Sequence, residues 1–263
     1  MDHVIQSYEQ YREEDRLTTR NAGRVEFLTS VRILNAHLPA GGKMLDCAAG
    51  TGVYAFHYAG LGFDVTALDI TPRHVEFMQQ KLQGSALPLR AALNDAIDLS
   101  SYSDGEFDAV LCMGPLYHLT HEADRRRCLA ECLRVLKPGG MLAVGYISRF
   151  STFPYVALID RKLLNLNLAQ NLLESGALSH TDPNCFWTDT YYHTPEGIEQ
   201  EIRAVGGIVL DHAGVDWLSL FMREKVNNLT EEELAVWCEY HYRVCREKSL
   251  LGASSHGLVI AKK

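Results

Sequence analysis

The chain has 263 residues, and its 33 acidic side chains against 25 basic ones leave a formal net charge of -8. That balance argues against a protein that lives on phosphate backbones, because nonspecific nucleic-acid affinity comes largely from Lys and Arg neutralising phosphates. The length suits one large domain, or one core with an appended subdomain, and no apolar run reaches the roughly 18 residues of a membrane span.

Residues 1–40 read as helical. Val25, Leu28, Val31, Leu34 and Leu38 recur at helical spacing, and Pro39 with Gly41-Gly42 ends the run. The first residues, Met1 to Ser7, lack the basic and apolar blocks of a signal peptide. Strands and helices then alternate: a strand at 44–46, a helix at 53–61, a strand at 64–69, and a helix opened by Thr71-Pro72 with Thr71 as N-cap. Strands at 88–93 and 107–113, a helix at 122–136 and a strand at 141–147 follow. Alternation of this kind predicts a parallel sheet covered on both faces. The pattern breaks at 150–193, where an amphipathic stretch from Tyr155 to Leu173 precedes a polar and aromatic loop. Thr194-Pro195 restarts a capped helix, Ile208 to Val215 reads as a strand, Thr230-x-x-Glu233 is a capping box, and Ser255 to Ala261 supply the last strand.

The most informative segment is Leu45-Asp46-Cys47-Ala48-Ala49-Gly50-Thr51-Gly52, an apolar strand that ends on a carboxylate and enters a small-residue loop. A second strand ends on Asp69. Small residues let the loop backbone approach a ligand, and an acid at the end of the next strand can accept from both hydroxyls of a ribose. Gly50-x-Gly52-x-x-Ala55 with an acid about 20 residues on also satisfies the dinucleotide fingerprint. Asp46 at the loop mouth would repel a pyrophosphate and attract an ammonium or sulfonium. Ala48, in place of the first glycine, relaxes the tightest turn.

From about residue 40 onward the chain resembles the class I S-adenosylmethionine (SAM) dependent methyltransferases, and its fourth strand and loop resemble their small-molecule branch. The resemblance rests on Asp46, Ala48, Gly50 and Gly52; on Asp69 closing Asp64–Asp69; on Leu93-Asn94-Asp95-Ala96; on Phe107 through Met113-Gly114-Pro115-Leu116-Tyr117-His118-Leu119; and on Leu133 through Lys137-Pro138-Gly139-Gly140 to Leu142. It implies an α/β, doubly wound, mostly parallel seven-stranded Rossmann-like sheet with N-terminal helices and a helical lid insertion. The expected divisions are an N-terminal cap at 1–40, a SAM-binding core at 41–149, a lid at 150–193 and the rest of the core at 194–263. SAM is the implied cofactor and S-adenosylhomocysteine its product. Asp46 would face the amino-acid end of the cofactor, Asp69 and Ile70 the ribose, Asn94, Asp95 and Ala96 the adenine, and Met113 and Gly114 would complete the pocket.

His118 is the candidate acid or base, its ordinary pKa near 6.5 suiting proton removal at neutral pH; an imidazole that only orients the loop is the alternative. Tyr117 either packs or bonds a substrate, and Asp95 either binds adenine or caps a short helix. Tyr8 and Tyr11 are expected over the methionine end, and Phe186, Trp187, Tyr191 and Tyr192 as walls of the acceptor pocket or as a satellite core. Arg24 reads as a surface helix residue rather than a carboxylate partner. Seven cysteines without a CxxC pair suggest neither disulfides nor zinc and fit a reducing cytoplasm. Cys47 reads as a packing residue, and His118 with His121 lack further ligands, so no metal is expected. The resulting expectation is a cytoplasmic methyltransferase, monomeric or homodimeric, that moves the sulfonium methyl in line to an O, N or S atom of a small molecule. RNA or protein methylation, an NAD-dependent oxidoreductase and a non-catalytic SAM-binding regulator stay open beside it.

Overall fold

A computed structural model describes residues 2–263. Two N-terminal helices, α1 (Asp2–Gln10) and α2 (Asn21–His37), flank an irregular segment. The core follows as β1 (Lys43–Asp46), α3 (Val53–Gly60), β2 (Asp64–Asp69), α4 (Pro72–Leu82), β3 (Leu89–Leu93), β4 (Phe107–Cys112), α5 (Glu122–Val135) and β5 (Leu136–Ile147). The insertion carries α6 (Arg149–Ile159), α7 (Leu166–Glu174) and a two-stranded ribbon of β6 (Ala177–Leu178) and β7 (Thr190–Tyr191). The chain closes with α8 (Pro195–Ala204), β8 (Ile208–Gly214), α9 (Arg223–Asn227), α10 (Glu231–Val244), α11 (Lys248–Leu251) and β9 (His256–Lys262).

Seven strands form one sheet in the order β3-β2-β1-β4-β5-β9-β8. The first five pair in parallel, whereas β9 runs antiparallel between β5 and β8. Order reverses between β1 and β4, and at such a switch point crossover connections leave on opposite faces and open a crevice at the carboxyl ends of the strands. The central strands are apolar on both sides because helices cover both faces. Leu45, Val110, Leu142 and Val144 pack under α5 and α8; Met44, Ala109, Leu111 and Ala143 face the layer that holds α2 and α3.

Local chemistry explains most boundaries. Thr230 and Glu233 exchange the two bonds of a capping box, and the Thr194 hydroxyl accepts from Gly197 N at 3.0 Å. Thr71 holds the N-cap position of α4 without a hydroxyl bond; its own N–H goes instead to Asp69 at 2.8 Å. The amphipathic stretch over 155–173 is broken in two by a 3-10 turn at Arg161–Leu163, where Asp160 accepts from Lys162 N at 2.9 Å. Asp95 opens no helix. Its carboxylate accepts from Ile97 N at 3.1 Å and closes a turn. No described helix is long and apolar enough to cross a membrane.

Candidate cofactor and acceptor site

A cavity opens at the carboxyl ends of β1, β2 and β4, floored by the loop after β1 and roofed by α1 and the segment that follows it. Asp46, Ala48, Gly50, Asp69, Ile70, Asn94, Asp95, Ala96, Met113 and Gly114 all line it. Gly52 does not. It sits behind the loop at φ +83°, where a Cβ would lie 2.9 Å from Met78 Sδ and 3.1 Å from Phe56, so its small size serves the packing of α3 on α4.

Asp69 ties the floor together. One carboxylate oxygen accepts from Gly50 N at 2.7 Å; the other faces Thr71 N at 2.8 Å and His74 Nδ1 at 3.2 Å. This fixes the acid and the Gly50 backbone in register while the oxygen that meets Gly50 N keeps acceptor capacity for a ligand hydroxyl. Asp46 is buried, and loss of hydration, with the nearby charge of Asp69 adding to it, pushes its carboxyl up to about 7. A buried acid held at that value is stabilised as a carboxylate by a cationic ligand.

The acceptor side is built around His118, which follows a 3-10 turn at Pro115–Tyr117. Burial pushes its imidazole down to about 4, so the ring is neutral near pH 7. A carbonyl can only accept; Nδ1, 3.1 Å from Asp189 O, therefore carries the proton. Nε2 is left with its lone pair and accepts the Tyr8 hydroxyl at 2.9 Å. A main-chain carbonyl of the insertion thus sets the tautomer, and α1 supplies the group that fills the basic nitrogen. Burial also raises the Tyr8 phenol, which keeps it a donor. Tyr117 lines the same wall, its hydroxyl 3.5 Å from Met113 O.

Trp187 of the insertion stands edge-on to Tyr8 and His118, with ring centroids at 5.1 and 5.4 Å, and Tyr11 lies 6.0 Å from Trp187. Both rings sit at the rim rather than on the cavity wall. Tyr191 and Tyr192 require correction. Tyr191 stacks under the Arg125 guanidinium at 3.6 Å, and Tyr192 is buried in a satellite core with Leu168, Leu172 and Leu178. The ribbon turns both away from the cavity, and Phe186 packs against that same satellite core.

Sequence reasoning missed Arg16. It is the one lysine or arginine on the described cavity wall, held by Glu13 at 2.8 Å and by Glu26 at 2.7 and 3.2 Å. Three of its five N–H groups are committed to these two acids, which leaves two that could donate to a ligand carboxylate. Arg24 instead pairs on the surface with Glu231 at 2.6 and 2.8 Å. α1 itself is latched by Arg73 at the start of α4, whose backbone N–H donates to Glu9 Oε1 at 3.2 Å and whose Nη1 donates to Tyr8 O at 3.4 Å; just beyond the helix the same guanidinium holds Tyr11 O at 2.5 Å and meets Glu14.

Residues 45–144 match the family description of a methyltransferase domain. Over 149 residues the chain is 35% identical to a glycine/sarcosine N-methyltransferase of Parasynechococcus marenigrum, an alignment covering 55% of this chain and 52% of the relative. Over 111 residues it is 33% identical to a ubiquinone biosynthesis O-methyltransferase of Xanthomonas axonopodis, covering 42% and 45%. The chain thus spans about half the length of the curated relatives it matches. Among solved structures, a SAM-dependent methyltransferase of Methanosarcina mazei superposes with a TM-score of 0.59 at 19% identity, over 88% of this chain and 96% of that one.

Proposed function

We propose that this chain, whose core is a methyltransferase domain of the class I SAM-dependent superfamily, transfers the cofactor's methyl group to an O, N or S atom of a small molecule. The observation that carries the reading is the pairing of two buried carboxylates on the cavity floor with an enclosed, neutral His118 opposite them. The residues present fit the cofactor: Asp46 favours its cationic end, Arg16 its carboxylate, Asp69 its ribose, and Asn94 to Ala96 wall the adenine side. When bound, SAM supplies an activated methyl group on a sulfonium leaving group.

The chain's own task is alignment, exclusion of water and, where the acceptor carries a proton, its removal. Orientation of two reacting partners can contribute up to about 7–11 kcal/mol of barrier. His118 Nε2 is placed to receive the acceptor's proton, either once the acceptor displaces the Tyr8 hydroxyl or through that hydroxyl. The roof of α1 and the rim of Tyr11 and Trp187 favour a small acceptor over a polymer, as does the acidic composition. The two curated relatives described above, an N- and an O-methyltransferase by name, are in keeping with this.

Thermal unfolding with SAM, S-adenosylhomocysteine and NAD in parallel tests the pocket. At a hundred times its dissociation constant a ligand stabilises by about 2.7 kcal/mol, which raises the midpoint by roughly 5–11 °C for a domain of this size. Both sulfur ligands should do so and NAD should not. A rise with NAD alone would overturn the reading. A screen of small phenols, amines and thiols, read as S-adenosylhomocysteine formed, then identifies the acceptor class.

A further inference from the structure

Four of the seven cysteines, far apart in sequence, converge beneath the loop that floors the cavity. Cys47 follows β1 directly, Cys112 ends β4, and Cys128 and Cys132 lie four residues apart on one face of α5, packed against both strand ends. All four side chains are buried. The Sγ atoms of Cys47 and Cys132 are 3.9 Å apart, those of Cys112 and Cys128 are 3.8 Å apart, and the thiols of Cys47, Cys112 and Cys132 lie within 4.8 Å of one another.

These spacings match a thiolate metal centre. With metal–sulfur bonds of about 2.3 Å, sulfurs at the corners of a tetrahedron stand about 3.8 Å apart. The two measured pairs are already there, the widest spacing in the trio needs to contract by only about 1 Å, and Cys128, 3.8 Å from Cys112 but outside the 4.8 Å set, has to swing in to complete the tetrahedron. Strands and helix supply the ligands from rigid elements.

We propose that Cys47, Cys112 and Cys132, with Cys128 as the fourth ligand, form a closed structural site for a thiophilic metal ion, of which Zn2+ is the probe. Each ligating thiol releases a proton to solvent as the metal binds, so occupancy rises with pH. With every position taken by sulfur and no open coordination site, the ion does no chemistry. It fastens the end of β1 to α5, and with it the first residue of the Cys47–Gly52 loop. Because the thiols are closed off from solvent, loading accompanies folding. The site stands whether or not the methyl-transfer reading holds.

The test uses the full chain, purified under reducing conditions from cells grown with zinc and washed with a chelator. Elemental analysis should find about one zinc per chain. Cys132→Ala should lose it, whereas Cys238→Ala on α10 should keep it. Metal-free protein refolded with Co2+ should show the intense thiolate-to-cobalt charge-transfer absorption, which Cys132→Ala abolishes; this readout does not depend on activity. Metal-free protein whose seven thiols all react once it is unfolded, with no cobalt band after refolding, would overturn the proposal and leave four thiols filling core volume. An intact mass short by two hydrogens would overturn it in favour of a disulfide.

Discussion

Asp46 and His118 carry opposite linkages to pH. The carboxyl, raised from 3.8 to about 7, binds its proton more tightly in the folded chain, so its contribution to stability falls as pH rises between those values. The imidazole, lowered from 6.5 to about 4, binds its proton more weakly when folded, so its contribution rises with pH over nearly the same window. In the parent protein the two offset each other. Asp46→Asn removes the first, and its stability relative to the parent should climb from pH 4 to 7. At about 1.4 kcal/mol per pKa unit the ceiling on that gain is about 4 kcal/mol. Paired chemical denaturation series check it; a flat difference would show that Asp46 is not held protonated. The same variant should bind SAM more weakly at pH 8, and the strengthening of parent affinity from pH 6 to 8 should vanish. For His118, a base of pKa about 4 leaves no inflection near 6.5 in kcat/KM, the loss coming only in acid. His118→Asn should spare SAM affinity and lower kcat by 10²–10⁴-fold if Nε2 takes the proton. An unchanged rate would leave the ring with the task of orienting Tyr8.

At the level of elements, the loop after β1 shows how a motif can be legible while the task of one of its residues is not. Gly50 and Gly52 are both recognisable as small residues between a strand and a helix, yet only Gly50 faces the cavity. Gly52→Ala combines a left-handed backbone, worth roughly 1–2 kcal/mol, with a contact against Met78, whereas Gly41→Ala meets open space. The first should destabilise by about 2 kcal/mol or more and the second should be near neutral by urea denaturation. The core strands and the acids at their ends were readable because they depend on period and local spacing. Arg16 was not, since the partner that holds it, Glu26, sits ten residues on in another element. Tyr191 and Tyr192, aromatic and in an insertion, fit an acceptor wall and a satellite core alike. Their direction was set by the β6–β7 pairing, which two-residue strands do not announce. The four core cysteines escaped for a similar reason, three elements contributing to one cluster.

For the whole molecule, the consequence lies in how lightly α1 is held. It has nine residues and one buried side chain, Val4, which is shorter than the 12–15 residues at which helices become even marginal alone. Its order therefore comes from the Arg73 latch, from Tyr8 on His118, and from whatever fills the cavity beneath it. Limited proteolysis between Tyr11 and Arg20 should be fast in the empty protein and slowed several-fold by S-adenosylhomocysteine, and Arg73→Ala should speed cleavage in both; equal rates with and without ligand would separate the helix from the cavity. If they are joined, and the chain transfers methyl groups as proposed, release of the spent cofactor waits on α1 peeling away, and turnover is timed by that helix rather than by the bond broken.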